Sequence, residues 1–201
     1  MGRSSDAKQR IIDSATELFH SRSYANVGVQ EICEKANVKK GSFYHFFPSK
    51  RDLTLAVIDH VWLYYKQESP TANVFHDKSV PPLKRIERFL LGSCEFQSQL
   101  QKEKGKVCGC HFGNLASEIS SQDEVIRKKL DEIFSAQADT IEDTLEEAVA
   151  MGDLPEIDTK SAANAILAFM QGIILMAKTR NDARLMRKMA KAGIDMIYQS
   201  G

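Results

Sequence analysis

The chain has 201 residues, enough for one large domain or two small ones, and its formal net charge at neutral pH is zero. Its hydrophobic content of 43% is sufficient for a packed core, while a neutral balance argues against nucleic-acid binding over the whole surface. No apolar run reaches the ~18 residues of a membrane span, and the first ten residues are too polar for a secretory signal. Four irregularly spaced cysteines do not suit a disulfide framework, so we expect a cytoplasmic protein with no membrane contact.

The charges are unevenly distributed along the chain. Residues 1–51 contain nine Lys or Arg and five Asp or Glu, a net charge of +4. Residues 116–158 contain three Lys or Arg and thirteen Asp or Glu, a net charge of −10. This asymmetry suggests a DNA-binding head on an acidic body, although the acidic segment also fits an ordinary solvated helix face.

Four helices are predicted in the first third of the chain, and no alternating pattern of strands is present anywhere. Ser5-Asp6 is expected to cap the first helix. The second begins near Gly28, which is a weak cap because glycine has no hydroxyl group. Ser49, followed three residues later by Asp52, forms a capping box that opens a fourth helix ending near residue 67.

A polar stretch at residues 68–80 separates these helices from a helical body. The body helices are expected to start at Pro81-Pro82, at His111 or Phe112, near Asp123, at Asp158 or Thr159, and again in the last twenty residues. The expected fold is therefore all-α. It has a three-helix head in residues 1–50, a connecting fourth helix at 50–67, and a helical-bundle body at 68–201.

The segment 30–47 indicates two short helices joined by a tight turn. The turn Ala36-Asn37-Val38 combines a small residue, one that tolerates a left-handed backbone, and an apolar plug. We expect Ile32 to lock the two helices together and Phe43 to face the first helix. This arrangement is what a helix-turn-helix needs to insert its second helix into a DNA major groove.

Several side chains in this segment are suited to contact DNA. Lys39 and Lys40 lie beside a helix N-terminus that already favours anions, and Gly41 allows a close approach to phosphates. The predicted DNA-contacting residues are Gln30, Lys39, Lys40, Gly41, Ser42, Tyr44, His45 and Lys50. The alternative is an ordinary helical hairpin with a solvated lysine pair.

The segment closely resembles the DNA-binding domain of the TetR/AcrR family of transcriptional regulators over roughly residues 10–61. The matching residues are Ala15, Leu18, Phe19, Ile32, Ala36, Val38, Lys40, Gly41, Ser42, Tyr44, Phe46, Phe47, Lys50 and Leu53. One departure is plain, because the family often has a Thr pair where this chain has Val27 and Gly28. That change removes a hydroxyl cap and a phosphate contact, which leaves Gln30 as the best-placed side chain of the second helix.

The resemblance implies a repressor that binds double-stranded operator DNA as a homodimer, with two heads in successive major grooves of a palindrome. It also implies that the body binds a small-molecule inducer, which releases DNA by favouring another state of the protein. No cofactor is implied. We expect the last two helices to form the dimer surface through Ile166, Phe169, Met170, Ile173, Met186, Met189 and Ile197.

The run Cys108-Gly109-Cys110-His111 is the second local feature, and three interpretations remain open. It could be structural, it could sense electrophiles or oxidants through a thiolate at a helix N-terminus, or it could join Cys94 in a metal site. Gly109-Cys110 and residues 114–118 resemble the body of repressors that respond to N-ethylmaleimide and quinones, in which the Cys after Gly is the sensor. The candidate ligand or sensor residues are Cys110, Cys108, His111, Phe89, Cys94, Phe112, Asn114 and Phe169, although the aromatic ones also fit a plain core.

Enzymatic motifs are missing from the sequence. It contains no G-x-S-x-G, no H-E-x-x-H and no glycine-rich phosphate loop, and its five histidines are scattered. We therefore expect no enzymatic activity. The alternative from another class is an all-helical interaction protein with a degenerate head that does not bind DNA, and Gly28 is the feature that favours it.

Overall fold

The computed structural model describes the backbone of residues 2–199 and the side chains of residues 6–193. The described residues form ten α-helices and one 3-10 turn, with no strand among them, which confirms the all-α prediction. The helices are α1 Gly2–Ser21, α2 Val29–Lys35, α3 Lys40–Phe46, α4 Lys50–Glu68, α5 Pro70–Asn73, α6 Pro82–Lys104, α7 His111–Ile119, α8 Glu124–Ala150, α9 Thr159–Arg180 and α10 Arg184–Gln199. The 3-10 turn is Val74–His76.

Local signals set several of the helix ends as predicted. The Ser49 hydroxyl accepts a hydrogen bond from the Asp52 backbone N–H at 3.2 Å and donates to the Asp52 carboxylate at 2.6 Å, so the capping box is confirmed. Asp158 caps α9 by accepting from the Ser161 N–H at 3.0 Å. Gly105 ends α6 in the left-handed conformation, with φ of 71°.

Two predictions of local structure are wrong. The first helix begins at Gly2 rather than at Ser5-Asp6, and Asp6 lies inside it, paired with Arg10 at 3.4 Å. The polar stretch 68–80 also contains the short helix α5, which was not expected. Pro70 occupies the start of α5, where the missing proline N–H would have no helical partner anyway.

The chain divides into two compact units. The first unit contains residues 1–64 and 110–132, which supply α1 to α3, most of α4, α7 and the start of α8. Its buried core includes Ile11, Ala15, Phe19, Ile32, Phe43, Phe47, Leu53 and Val57, and α1 packs against α2, α3 and α7. The functional division into a DNA-binding domain at 1–50 and a ligand-binding and dimerisation domain at 68–201 stays a prediction.

The second unit contains residues 65–109 and 133–201, in which α10 packs against α6 and α9. Ile166, Met170, Ile173 and Met186 are buried inside this unit, so their prediction as dimer contacts is wrong. The prediction failed because an apolar stripe at helical spacing fits the core of a chain and an interface between chains equally well. Phe169 and Met189 are half-buried, and the Ile197 side chain lies outside the described residues.

The other face of α9 carries small and apolar residues in the open. Ala165, Ala168, Gly172, Leu175 and Met176 are exposed, and Leu175 keeps 61% of its surface accessible. By length and composition α9 would also be able to cross a membrane, even though Asn164 and Gln171 interrupt its apolar residues. A core helix passes the same test, and the opposite face of α9 is buried in the second unit.

A buried arginine holds the start of α6 in the second unit. The fully buried Arg85 donates through Nε to the Val80 carbonyl at 3.0 Å and through Nη1 to the Phe75 carbonyl at 3.2 Å. Its Nη2 lies 2.5 Å from Glu147 Oε1, and Lys78 donates to the other Glu147 oxygen at 2.6 Å. The hydrogen bond from Arg85, followed by that from Lys78, lowers the pKa of Glu147 from 4.5 to about 2.

We expect Arg85→Met to destabilise the protein by about 2–4 kcal/mol, because two buried carbonyls lose their partner and Glu147 loses one of its two cationic partners. Urea unfolding measures this change. Lys84→Met is the matched control on the preceding residue. Lys84 is exposed and pairs with the neighbouring Glu87 at 2.5 Å, so its loss should cost about 0–1 kcal/mol. Equal destabilisation by the two variants would contradict the assignment.

Glu147→Gln should change how stability depends on pH. Because the folded pKa of about 2 lies below the ordinary 4.5, ionised Glu147 stabilises the fold above that ordinary value, and this contribution is lost as pH falls toward 2. The difference in unfolding free energy between wild type and Glu147→Gln should therefore be constant above pH about 5 and shrink below it. Glu146→Gln, on the exposed neighbour, should follow wild type throughout; a pH-independent difference for Glu147→Gln would refute the prediction.

Candidate nucleic-acid interface

The segment α2–turn–α3 forms a helix-turn-helix. Asn37 adopts the left-handed conformation with φ of 51°, as its residue type predicted. The Asn37 N–H donates to the Glu34 carbonyl at 3.1 Å, and the Val38 N–H donates to the Cys33 carbonyl at 3.0 Å. These bonds close the turn and start α3 two residues later.

Aromatic burial orients α3. Phe43, at the centre of this seven-residue helix, is fully buried, and its ring centroid lies 5.9 Å from that of Phe47. Ile32 of α2 is also fully buried in the same core, as predicted. With Phe43 turned inward, the residues on the other side of α3 must face outward.

Most of the predicted DNA-contacting side chains lie on that outward surface. Tyr44 is 49% exposed, and its ring packs edge-on against Phe43. Ser42 is half-buried, and Gln30 donates to Glu34 at 2.8 Å along α2. The exposed members of the predicted set are Gln30, Lys39, Lys40, Gly41, Tyr44 and His45.

Lys50 is placed differently from the other predicted contacts. Its side chain is half-buried, and its ammonium donates to the Tyr24 carbonyl at 2.5 Å. The same nitrogen lies 3.9 Å from the centroid of the Tyr24 ring and 5.7 Å from that of Phe19. Burial lowers the pKa of Lys50. These contacts hold the loop that follows α1, so Lys50 has an intramolecular role, and its contact with DNA stays a prediction.

The start of α2 has no side-chain cap. Gly28 is the N-cap residue, with φ of −87° and no side-chain hydrogen bond, which confirms the weak cap. Glu31, three residues after Gly28, forms an ion pair with Arg22. A Cβ atom at Gly28 would meet nothing within 4 Å, so packing does not require glycine at this position.

The first unit also contains contacts that sequence reasoning missed. Glu118 of α7 accepts hydrogen bonds from the Ser23 hydroxyl at 2.9 Å and from the Ala25 N–H at 3.3 Å. Arg51 of α4 pairs with Asp123 at 2.5 Å. No local pattern could have revealed these pairs, because their partners are 72 to 95 residues apart in sequence.

Cys110 is the most accessible of the four thiols. It is half-buried at the N-cap of α7, after Gly109, whose φ is 88°, whereas Cys33, Cys94 and Cys108 are buried. Burial raises the pKa of Cys94 to about 11 and also raises the pKa of Cys33. Cys94 is therefore expected to remain a thiol.

The other candidate ligand residues do not gather in one unit. Cys110, His111, Phe112 and Asn114 belong to the first unit, while Phe89, Cys94, Cys108 and Phe169 belong to the second. Phe112 is buried edge-on to Trp62, and Phe89 is buried beside Phe75, so both serve as core. Within the described part of the chain, no group of three or more His, Cys, Asp or Glu could hold a metal ion.

Known proteins match both parts of the chain. The sequence model of bacterial regulatory proteins of the tetR family matches residues 11–57, and that of the tetracyclin repressor-like C-terminal domain matches residues 82–192. The transcriptional regulator AcuR of Cereibacter sphaeroides is 32% identical over 173 residues, which cover 86% of this chain and 76% of AcuR.

Solved structures show the same fold. The regulatory protein TetR from Rhodobacter sphaeroides aligns with a TM-score of 0.82 and 28% identity, covering 94% of this chain and 97% of that one. The reduced form of Escherichia coli NemR aligns with a TM-score of 0.79 and 21% identity, covering 94% and 97%. The two family matches and the helix-turn-helix geometry lead to one conclusion: the chain belongs to the TetR family and is a DNA-binding transcriptional regulator.

Proposed function

We propose that this regulator is a cytoplasmic repressor that binds a palindromic operator as a homodimer and leaves it when a small molecule acts on the body. The outward face of α3, fixed by the burial of Phe43, is the observation that carries the proposal. NemR, which is 24% identical over 128 residues, is named a transcriptional repressor, and this supports the direction of regulation.

In this proposal, residues 1–50 are the DNA-binding domain. Lys39, Lys40 and Gly41 approach phosphates, while Tyr44, His45 and Gln30 face the groove. We expect Ser42, at the start of α3, to contact the groove or its phosphates. A net charge of +4 in residues 1–51 adds attraction to DNA that does not depend on sequence.

Residues 68–201 bind the inducer and form the dimer. The exposed face of α9 supports the dimer, because Ala165, Ala168 and Gly172 allow two helices to approach closely while Leu175 and Met176 supply apolar contact. A partner subunit on this face would remove the most exposed apolar side chains of α9 from water.

The inducer is either a reversibly bound apolar molecule or an electrophile that modifies Cys110. The partial exposure of Cys110 at the start of α7 supports the second route. With an α,β-unsaturated carbonyl compound, the Cys110 sulfur would form a bond to the β-carbon as the carbon–carbon π bond breaks. The thiol proton would end on the α-carbon, so the addition needs no further reactant.

Lys40→Ala should weaken binding to the DNA upstream of the protein's own gene. It should also reduce the slope of log Kd against log salt concentration by about 1, because one phosphate contact is lost. Fluorescence anisotropy over a series of salt concentrations measures both quantities. Lys35→Ala is the matched control in the same head, because Lys35 is exposed and pairs with Glu17 at 3.0 Å. An unchanged slope for Lys40→Ala would remove Lys40 from the interface.

N-ethylmaleimide should release wild-type protein from the operator and should fail to release Cys110→Ser. An electrophoretic mobility shift assay on the upstream DNA measures release. Mass spectrometry of the intact protein gives the number of N-ethylmaleimide adducts. Cys108→Ser is the control and should respond as wild type, because Cys108 is buried. If Cys110→Ser is released at the same N-ethylmaleimide concentration as wild type, Cys110 is not the sensor. The remaining hypothesis is then an inducer that binds reversibly.

A further inference from the structure

A single carboxylate of α7 holds the loop between α1 and α2. Glu118 Oε2 accepts from the Ser23 hydroxyl at 2.9 Å and from the Ala25 backbone N–H at 3.3 Å. Hydrogen bonds to an ionised acceptor are about twice as strong as neutral ones. Glu118 lies within the C-terminal family match, yet these contacts are made to the DNA-binding head.

The residue between these two donors is held from α4. Lys50 donates to the Tyr24 carbonyl and lies over the Tyr24 ring, 3.9 Å from its centroid. Burial lowers the pKa of the Lys50 ammonium, and the charge of Glu118 opposes that effect. Ser23, Tyr24 and Ala25 are therefore fixed by an anion from α7 and a cation from α4.

This loop leads directly into α2, which depends on it. The N-cap residue Gly28 offers no side-chain hydrogen bond to the first turn of α2. With no side-chain cap of its own, the first turn of α2 depends on the loop before it, while the buried Ile32 anchors the helix in the core. Because the tight turn at Asn37 joins α2 to α3, a shift of α2 would also shift α3.

The start of α7 makes a second contact with α1. The imidazole rings of His111 and His20 are stacked, with centroids 3.5 Å apart and an angle of 19° between their planes. His20 is buried in the last turn of α1, and Cys110 immediately precedes His111. We call the Glu118 contacts and this stack together the α7 brace.

We propose that the α7 brace positions the helix-turn-helix for DNA binding, with Glu118 as its main positioning residue, and that it carries the effect of Cys110 modification to the head. An adduct at Cys110 adds bulk beside His111, and Glu118 follows eight residues later on the same helix, about 12 Å away. Displacing α7 breaks the stack and withdraws the carboxylate from Ser23 and Ala25. The regulatory part of this inference rests on the proposed function.

The positioning role is tested by operator affinity at 25 °C. Glu118→Ala should weaken binding about tenfold, whereas Glu118→Gln keeps an acceptor oxygen and should stay within threefold of wild type. Glu124→Ala is the matched control, because Glu124 begins α8 and contacts only the exposed Arg127 and Lys128 in its described ion pairs. Adding Ser23→Ala to Glu118→Ala should cause little further loss, because both changes remove the same contact.

Hydrogen exchange separates positioning from general destabilisation. In Glu118→Ala, exchange should accelerate in residues 22–35 while the core of α4 and the melting temperature change little. Operator binding within twofold of wild type, or faster exchange spread evenly over the first unit, overturns the positioning role.

The regulatory role is tested at His20. His20→Ala should still bind the operator and still gain the N-ethylmaleimide adduct at Cys110, but release should need at least fivefold more reagent. His20→Phe restores a stacked ring and should restore release. Unchanged release in His20→Ala overturns this part.

The two proposals fail separately. If wild-type protein does not bind its upstream DNA, the proposed function is wrong, and exchange in residues 22–35 of Glu118→Ala alone decides whether the brace exists. If wild type binds DNA but N-ethylmaleimide releases nothing, the link to Cys110 is wrong while the affinity of Glu118→Ala still decides the positioning role.

Discussion

The burial of Phe43 is the constraint on which the proposed DNA-binding surface depends. α3 has only seven residues, so a single inward side chain fixes its rotation about the helix axis. Burying a phenylalanine contributes about 1.5–3 kcal/mol, which is enough to make one rotation dominate. Lys40, Gly41 and Tyr44 face outward as a direct result. The chemistry offered to DNA is thus selected by an apolar contact that never touches DNA.

Electrostatic contacts complete what this apolar core begins. The core locks α1, α2 and α3 together, and in the loop from Ser23 to Ala25 it is Tyr24 that packs against this core. Glu118 and Lys50 fix that loop from two other helices. The first unit is therefore larger than a free-standing helix-turn-helix, because α7 and the start of α8 supply part of its support.

Features encoded in neighbouring residues were predicted well, and features that depend on distant residues were not. The capping box at Ser49, the cap at Asp158 and the left-handed Asn37 all follow from side-chain chemistry within three residues. The inward position of the Lys50 side chain and the contacts between Glu118 and the head depend on partners that no local pattern identifies. Met186 shows a further limit, since helical spacing marks a buried side without telling whether the same chain or a partner covers it.

The open space at Gly28 makes residence time on DNA adjustable by one side chain. The Cβ of a serine or threonine would meet no other atom within 4 Å, and the hydroxyl would be able to cap α2 and to reach the phosphate backbone. Most affinity differences between related complexes arise in the dissociation rate, so such a change would mainly lengthen the bound state. Compared with such a variant, the chain with glycine would form a shorter-lived complex, and a gene under this regulator would respond sooner after the signal arrives.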